Sequence, residues 1–357
     1  MSTANLDAAD LAAALAAPGL IREDVMDTVY NLDEGIPTPL TDMTRSGSHS
    51  NPYSEWTEDD LTAVDITNAV VDGADASGND TSVGLRIGNR QQISDKTVRI
   101  SHVSEAINSI GSIGRMAYQT AKRLLDLRRD VEAIFCGRQA AVADDGSTTA
   151  GKTAGLGAWI ATNTNFGTSG AAGGFNTSTK IVDAPTAGQS RVLTWAAVRT
   201  QLEAVYTAGG YPSVLLTVPG LIKGINTFLF GSGGDPYRAA PTANVQGTSP
   251  ATQAAQGWIT VVLSDFGITL SLVDNRLQQV YDSHADDAPA VDVADVFILD
   301  PAYLGLSYLG GYRNDVLGKT GHSDMRMLSV NWMTKCFRED AHAMIADILP
   351  AGTVAAS

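Results

Sequence analysis

The stretch GRMAYQTAKRLLDLRRDVEAIF, residues 114–135, carries the strongest periodic signal in this chain of 357 residues. Around it, apolar side chains recur every three or four residues, as on one face of an α-helix, at Ile110, Ile113, Ala117, Ala121, Leu124, Leu127, Val131 and Ile134. Basic side chains lie mostly off this stripe. The pattern predicts a single helix within residues 104–142, with a cap near Ser104, about 30 residues and roughly 45 Å long.

The preceding segment, residues 56–102, predicts two extended strands joined by a polar tip. β-Branched residues alternate roughly in DLTAVDITNAVV, residues 60–71, and alternation returns around Val98 and Ile100. The tip GADASGNDTSVG, residues 73–84, has turn composition. Because a two-stranded hairpin is marginal in water by itself, we expect this one to lie on a partner surface.

The segment after the helix contains GSTTAGKT, residues 146–153, which fits the nucleotide-binding pattern G-x-x-x-x-G-K-[ST]. In that pattern Lys152 would bind phosphates and Thr153 a magnesium ion. The fragment VFILD, residues 296–300, resembles the strand that holds the metal in such proteins. A P-loop nucleotide hydrolase is therefore one alternative.

The surroundings of this pattern disfavour nucleotide binding. A phosphate loop needs a buried strand before it and a helix that begins at the lysine. Here a long helix precedes the loop, and Gly155 and Gly157 follow where a helix should continue, each at a cost of about 1 kcal/mol. We expect a flexible loop instead.

The rest of the chain mixes helical and extended patterns. The sequence predicts helices over residues 194–210 and from Pro219 onward, strands at 212–219 and 295–299, and a hairpin turning at 264–267. Residues 325–349 predict a long strand and a closing apolar segment. These patterns together predict an α+β fold.

Composition excludes several classes of protein. The net charge of −15 disfavours a nucleic-acid binder that depends on a basic face. Two cysteines make no disulfide framework, and the five histidines lack metal-ligand spacing. No G-x-S-x-G elbow occurs. We therefore predict no catalytic, cofactor-binding or metal-binding residues, no signal peptide and no membrane span.

Charge is unevenly distributed along the chain. Residues 1–80 hold 16 acidic and 2 basic residues, a net charge of −14, whereas residues 81–140 hold 10 basic and 5 acidic residues, a net charge of +5. An acidic arm beside a basic segment indicates contact between segments or between chains, although an acidic tail can also simply favour solubility.

The order of segments resembles the major capsid proteins of tailed bacteriophages, which have the Hong Kong 97-type fold. In that fold an N-terminal arm and an extended loop accompany a spine helix in a peripheral domain, followed by an axial domain. The matching stretches are GNRQQISDKTVRISHVSEAI (88–107), the helical stretch (114–135), TAGLGAWIATNT (153–164), DVFILDPAYL (295–304) and LGKTGHSDMRMLSVNWMTKCFREDAHAMI (317–345).

The resemblance implies a division of the chain and a function. The expected parts are an N-terminal arm (1–55), an extended loop (56–102), the spine helix, glycine-rich loop and first part of the peripheral domain (103–195), an axial domain (196–310), and a peripheral return with the closing strand (311–357). The implied function is a structural, non-enzymatic protein of the virion that assembles through hexamers and pentamers into an icosahedral head around double-stranded DNA. An encapsulin-like bacterial compartment shell is the alternative on the same fold.

The implied partners are first of all copies of the same chain. Scaffolding, decoration or cement, and portal proteins are further candidates, as is packaged DNA bound without sequence specificity; no membrane is expected. Assembly would take place in the bacterial host cytoplasm. From the charge split and the expected extended loop, the predicted inter-subunit contact residues are Arg115, Lys122, Arg123, Arg128, Arg129, Lys96, Arg99, Trp56, Asp59 and Asp60.

Overall fold

The fold is described from a computed structural model. The structure describes residues 26, 28, 30, 35–73, 75, 83–107, 113–230, 260–282, 291–319 and 321–350. Most of the predicted N-terminal arm, the tip of the predicted hairpin and Ile110 of the helical stripe lie outside the described residues.

The long helix is present but shorter than predicted. Helix α3 spans Met116–Phe135, 20 residues, and a separate short helix α2 spans His102–Ala106. The Ser101 hydroxyl caps α2 by accepting from the Ser104 N–H at 3.1 Å, and the backbone turns extended at Ile107. The prediction of one continuous helix capped near Ser104 is therefore wrong, because the apolar periodicity continues through a break in the helical backbone.

Helix α3 packs against a four-stranded sheet. Its strands, in spatial order, are β1 (Arg45–Ser48), β13 (Leu304–Val316), β14 (Ser323–Cys336) and β4 (Gln92–Ser101). The β13–β14 and β14–β4 pairs are antiparallel, whereas β1 runs parallel to β13. The sheet thus joins segments from the first third and the end of the chain, which makes its topology strongly non-local.

A second, seven-stranded sheet forms the other part of the fold. Its main order is β5 (Thr164–Asn165), β15 (Ala343–Ile348), β12 (Asp292–Leu299), β8 (Val214–Thr217), β10 (Thr269–Asp274) and β9 (Val261–Leu263), and β11 (Tyr281–Asp282) pairs with β12. Helices α5 (Trp195–Thr207) and α6 (Pro219–Phe230) accompany it. Both helices and the β9–β10 hairpin confirm the predictions for this region.

Smaller elements complete the chain. They are helix α1 (Pro39–Met43), helix α4 (Leu156–Trp159), the strand pair β6 (Gly174–Asn176) and β7 (Ile181–Asp183), and the 3₁₀ turns Pro301–Tyr303 and Glu339–Ala341. The first of these turns separates β12 from β13, so the chain passes from the second sheet to the first there.

Buried side chains form two large clusters, which cover the opposite faces of the seven-stranded sheet. One cluster joins Leu127, Val131 and Phe135 of α3 to Trp159, to the four-stranded sheet and to one face of β8, β12 and β15. The other joins the apolar faces of α5 and α6 to β8, β10, β12 and β15. Strand β12 has seven consecutive buried residues after Asp292, as expected for a strand covered on both faces.

The predicted hairpin is only partly formed. Strand β2 (Tyr53–Glu58) pairs with β3 (Leu85–Arg90), from Tyr53 opposite Arg90 to Glu58 opposite Leu85. Residues 59–73 contain no strand, and the predicted strand over 60–71 is wrong. The predicted return strand divides in two, since β4 leaves the hairpin and pairs with β14 instead. A polar–apolar alternation does not form a strand where the described part of the chain offers it no pairing partner.

A buried histidine lies just before β15. His342 is fully buried, and its Nδ1 accepts a hydrogen bond from the Asp300 N–H at 3.2 Å. Desolvation lowers the pKa of His342 from 6.5 to about 3. Below pH 6.5 the unfolded chain therefore binds a proton at this residue that the folded chain excludes, so stability falls as the pH falls towards 3.

We predict that His342→Asn flattens this pH dependence, because an amide oxygen can still accept from the Asp300 N–H but does not titrate. Between about pH 6 and pH 4, wild-type stability should lose up to about 1.4 kcal/mol per pH unit more than the variant does. Urea unfolding of the unassembled subunit at several pH values measures the difference. His322→Asn, at an exposed histidine, is the control and should keep the wild-type slope; equal slopes for wild type and His342→Asn would contradict the assignment.

Candidate assembly surfaces

The root of the hairpin, which is the paired part of β2 and β3, packs against the rest of the subunit through aromatic rings. The Trp56 ring lies 5.6 Å from the Trp159 ring and 6.0 Å from the Phe337 ring, centroid to centroid. The Lys335 ammonium lies 5.9 Å from the centre of the Trp56 ring. The half-buried Trp56 ring therefore has contacts within its own chain, and its predicted role between subunits stays a prediction.

The acidic residues after the hairpin root also have contacts within the chain. Asp60 forms an ion pair with Arg338, whose guanidinium reaches Asp340 at 3.1 Å as well. The Asp59 carboxylate accepts from the Asp60 N–H at 3.0 Å. Because Asp60 is largely exposed, this ion pair contributes little stability.

The predicted basic residues divide into paired and exposed groups. Lys96 on β4 pairs with Asp130 on α3 at 2.6 Å, and Arg123 pairs with Asp126 at 2.7 Å. The Arg99 Nε donates to the Ser323 hydroxyl at 3.0 Å. The structure leaves Arg115, Lys122 and Arg128 exposed and Arg129 half-buried. Within one chain it does not bring this basic group onto Asp59 and Asp60.

The first half of helix α3 borders a groove, here named the helix groove. The groove has a volume of about 510 Å³ and lies between α3 and strands β13 and β14, and Glu105 of the short helix α2 also contributes to it. Its lining residues are Glu105, Met116, Ala117, Thr120, Ala121, Leu124, Tyr312, Arg313, Asn314, Arg326 and Leu328. The predicted apolar stripe of α3 is buried at Leu127 and Val131 but open to this groove at Ala117 and Ala121. The sequence predicted the apolar stripe, but it did not predict that the first half of the stripe stays exposed in the single chain.

A buried carboxylate anchors the start of the described chain to α3. Glu132 accepts from the Leu40 N–H and the Thr41 N–H, both at 2.8 Å, from the Thr41 hydroxyl at 2.5 Å and from the Asn275 side-chain amide at 2.8 Å. Burial raises the pKa of Glu132, while these donors oppose the rise. One side chain thus joins α1, α3 and the end of β10, and sequence reasoning missed it.

A second buried network joins the segment after α3 to the seven-stranded sheet. Arg138, just after α3, donates from Nε to Asp295 at 2.9 Å and from Nη2 to Asp347 at 3.0 Å. Asp347 also accepts from the Gly167 N–H and the Gly188 N–H, both at 3.0 Å. Both carboxylates are fully buried, so the cation and the backbone donors are needed to offset their desolvation.

The glycine-rich segment owes its composition to this network. A side-chain carbon added at Gly167 would lie 2.1 Å from the Gln189 carbonyl oxygen, and one at Gly188 would lie 2.6 Å from the Gly167 carbonyl oxygen. Two backbone stretches therefore approach Asp347 closely where any larger residue would collide.

The nucleotide-loop interpretation of residues 146–153 is wrong. The Asp145 carboxylate accepts from the backbone N–H groups of the turn that follows it, and the Lys152 backbone pairs with Val142. Thr153 is fully buried, and its hydroxyl contacts the Asn89 amide at 3.0 Å and accepts from the Thr334 N–H at 3.1 Å. No helix begins at Lys152, so neither loop amides nor a helix N-terminus are arranged around a phosphate.

Two features are absent from the described part of the chain. Across those residues, no group of three or more His, Cys, Asp or Glu side chains is arranged to hold a metal ion. Among the described helices, none combines the length and the apolar character needed to cross a membrane.

Comparison with known proteins gives the family. The model of the family described as SU10 major capsid protein matches residues 3–349. The chain belongs to the SU10 major capsid protein family. It is therefore a major capsid protein of a tailed phage, and the resemblance found in the sequence is confirmed.

A curated relative agrees with the SU10 family assignment. The major capsid protein of Escherichia phage Phieco32 is 31% identical over 103 residues, which are 29% of this chain and 29% of that protein. The match thus spans less than a third of the relative's length.

Solved structures show that the SU10 family member has the Hong Kong 97-type fold. The capsid of a native GTA particle is similar at a TM-score of 0.58 and 12% identity, over 96% of this chain and 99% of the other. The structure from Mycobacterium phage Che8 is similar at a TM-score of 0.54 and 10% identity, over 95% of this chain and 100% of the other. The SrpI encapsulin of Synechococcus elongatus PCC 7942 is similar at a TM-score of 0.53 and 11% identity, over 93% of this chain and 94% of the other. At this identity the similarity shows a shared fold alone.

We predict that Glu132→Gln destabilises the subunit by about 1–3 kcal/mol, because the new amide group faces donors where the carboxylate accepted hydrogen bonds. The variant no longer has to bury a carboxylate whose pKa is raised by desolvation, but this gain offsets only part of the cost. The urea midpoint of the unassembled subunit at pH 7 measures the change. Glu203→Gln, at an exposed position on α5, is the control and should change stability by less than about 0.5 kcal/mol; an unchanged midpoint for Glu132→Gln would contradict the anchoring role.

Proposed function

We propose that this chain assembles with copies of itself, through hexamers and pentamers, into an icosahedral head that encloses double-stranded DNA. The family match over residues 3–349 carries the proposal. The protein then acts as structure without catalysis, and assembly takes place in the cytoplasm of the bacterial host. Scaffolding, decoration or cement, and portal proteins are its proposed partners, and DNA would be packaged without sequence specificity.

The shape of the subunit supports assembly through extended parts. Residues 59–73 leave the hairpin root in an exposed, irregular path, although they contain several large apolar side chains. Such a segment gains stability only when another surface covers it. We propose that the extended loop, residues 56–102, lies over a neighbouring subunit.

We also propose the division of the chain that the resemblance implied: arm (1–55), extended loop (56–102), spine and first peripheral part (103–195), axial domain (196–310) and peripheral return (311–357). The separate four-stranded and seven-stranded sheets support a peripheral and an axial part. Strand β15 belongs by sequence to the proposed peripheral return, residues 311–357. It nevertheless pairs with β12 in the sheet of the proposed axial part.

The charge split supports an electrostatic component of assembly. The first 80 residues carry a net charge of −14, and Lys122 and Arg128 extend from α3 into solvent. We propose that acidic residues of one subunit contact this basic helix face of the next subunit. Arg128 and Arg129 are among the inter-subunit contact residues that the sequence predicts. Exposed charges interact over about 10 Å in 0.1 M salt but only about 3 Å in 1 M salt, so assembly should weaken as salt rises.

The primary test of the proposed function is particle formation. Purified protein should form closed, uniform shells that light scattering and negative-stain electron microscopy detect. A stable monomer or small oligomer across salt and protein concentrations would contradict the proposal. Shells that enclose a cargo enzyme rather than DNA in the producing cell would favour a compartment protein.

We predict that Lys122→Glu combined with Arg128→Glu lowers the yield of shells at 0.1 M salt by several fold and weakens its salt dependence. The reason is that two attractive contacts become repulsive. Lys180→Glu, in the exposed turn between β6 and β7, is the matched control and should assemble as the wild type does. Sedimentation of shells against free subunits measures the yield, and equal yields for the double variant and the wild type would contradict the electrostatic component.

A further inference from the structure

The helix groove leaves apolar surface of α3 open in the described part of the chain. Ala117 and Ala121 line it and are exposed. Two guanidinium groups, of Arg313 and Arg326, line the same groove against one carboxylate, that of Glu105. Since apolar surface and positive charge occur together there, the groove fits a segment that is itself apolar and acidic.

The sequence contains such a segment near its start. We name LDAADLAAALAA, residues 6–17, the arm segment; it lies outside the described residues. It consists of alanine and leucine apart from Asp7 and Asp10, and the first basic side chain of the sequence comes later, at Arg22. Alanine and leucine favour an α-helix, and the Pro–Gly pair that follows favours its end. Because so short a helix is marginal alone in water, it needs a surface on which to pack.

The arm segment and the helix groove match in length and in charge. As a helix, twelve residues would span about 18 Å, and α3 runs about 12 Å from Met116 to Leu124 beside the groove. Small alanine side chains on both helices would allow their axes to approach to about 8 Å. Asp7 and Asp10 are three residues apart and would lie on one side of the helix, so both could face the guanidinium groups.

The chain is long enough to place the arm segment in its own groove. The Leu40 N–H donates to Glu132 of α3 at 2.8 Å, so residue 40 lies beside this helix. Ala121 is 11 residues before Glu132, about 17 Å along the helix axis. Ala17 is 23 residues before Leu40, a length that spans up to about 75 Å. A tether of this kind gives an effective concentration on the order of millimolar, which favours the groove of the same chain over that of another free subunit.

We propose that the arm segment docks in the helix groove of its own chain in the unassembled subunit and shields the groove until a neighbouring subunit displaces it. Its leucine side chains lie against the two exposed alanines of α3, and its two aspartates face the guanidinium groups. The docking goes beyond the proposed function. The displacement rests on that function, because acidic residues of a neighbour compete for the same basic helix face in the shell.

Engineered cysteines test the docking in dilute subunits, because the two native cysteines, Cys136 and Cys336, are free and buried. In Leu11→Cys combined with Ala121→Cys, mild oxidation should form a disulfide within one chain, which runs as a monomer of altered mobility on a non-reducing gel. Leu11→Cys combined with Ala196→Cys, at an exposed helical position on α5, is the control and should link at least fivefold less.

The outcomes separate this inference from the proposed function. Linkage of the Leu11–Ala121 pair that is no greater than that of the control pair, or that forms mainly between chains, overturns the docking. Neither result depends on whether shells form, so a failure of the proposed function leaves this test intact.

A charge exchange tests the polar part of the contact. Arg313→Glu, at an exposed position, should lower linkage of the Leu11–Ala121 pair at least threefold, because the new carboxylate repels the aspartates of the arm segment. Adding Asp10→Arg should restore the linkage. Lys180→Glu is the control and should leave linkage unchanged. Linkage that is insensitive to Arg313→Glu, or that Asp10→Arg does not restore, overturns the pairing of the aspartates with the groove.

The locked disulfide also tests the shielding. Oxidised subunits linked between positions 11 and 121 should give at least tenfold fewer shells than the same protein after reduction, since the groove cannot open. Equal yields before and after reduction overturn the shielding. Wild-type protein that forms no shells contradicts the proposed function and, with it, the displacement, while the docking is decided by the linkage in free subunits.

Discussion

The packing of α3 on the four-stranded sheet is the constraint on which the other parts of the structure depend. Leu127, Val131 and Phe135 bury the second half of the helix against β13, β14 and the segment after the helix. The same half places Glu132 where it holds residues 40 and 41, and it ends just before Arg138, which joins the second sheet. A shift of α3 along its axis would disturb both polar networks at once.

The two halves of α3 thus have different surroundings. The second half is enclosed by its own chain, whereas the first half is open along the helix groove. Hydrophobic burial and buried hydrogen bonds therefore stabilise the subunit at one end of the helix, and apolar surface remains at the other. A protein that must exist first as a soluble subunit and then as part of a shell needs this kind of division between internal and shared contacts.

The sequence predicted the elements better than it predicted their limits. The stripe of α3 identified the helix, but Ile107 breaks the helical backbone in a way that apolar spacing does not reveal. The alternation in residues 60–71 predicted a strand, yet a strand forms only where a partner supplies hydrogen bonds, and the described part of the chain supplies none there. The nucleotide pattern was rejected from its surroundings, and burial of Thr153 shows the physical reason.

The buried polar networks were not predictable from spacing. Arg138 meets Asp295 and Asp347 across 157 and 209 residues, and Glu132 meets Leu40 across 92. A charged residue next to Val131 on the buried side of a helix was the one available signal for Glu132, since an ionisable group there requires partners. Nothing local marked its partners.

Amide hydrogen exchange, compared between free subunits and assembled shells, tests the central claim that assembly covers surface left open by the single chain. We expect strong new protection in residues 59–73, which have no strand pairing among the described residues of the subunit, with little change in the already buried β12. Equal exchange of residues 59–73 in free subunits and in closed shells would contradict it.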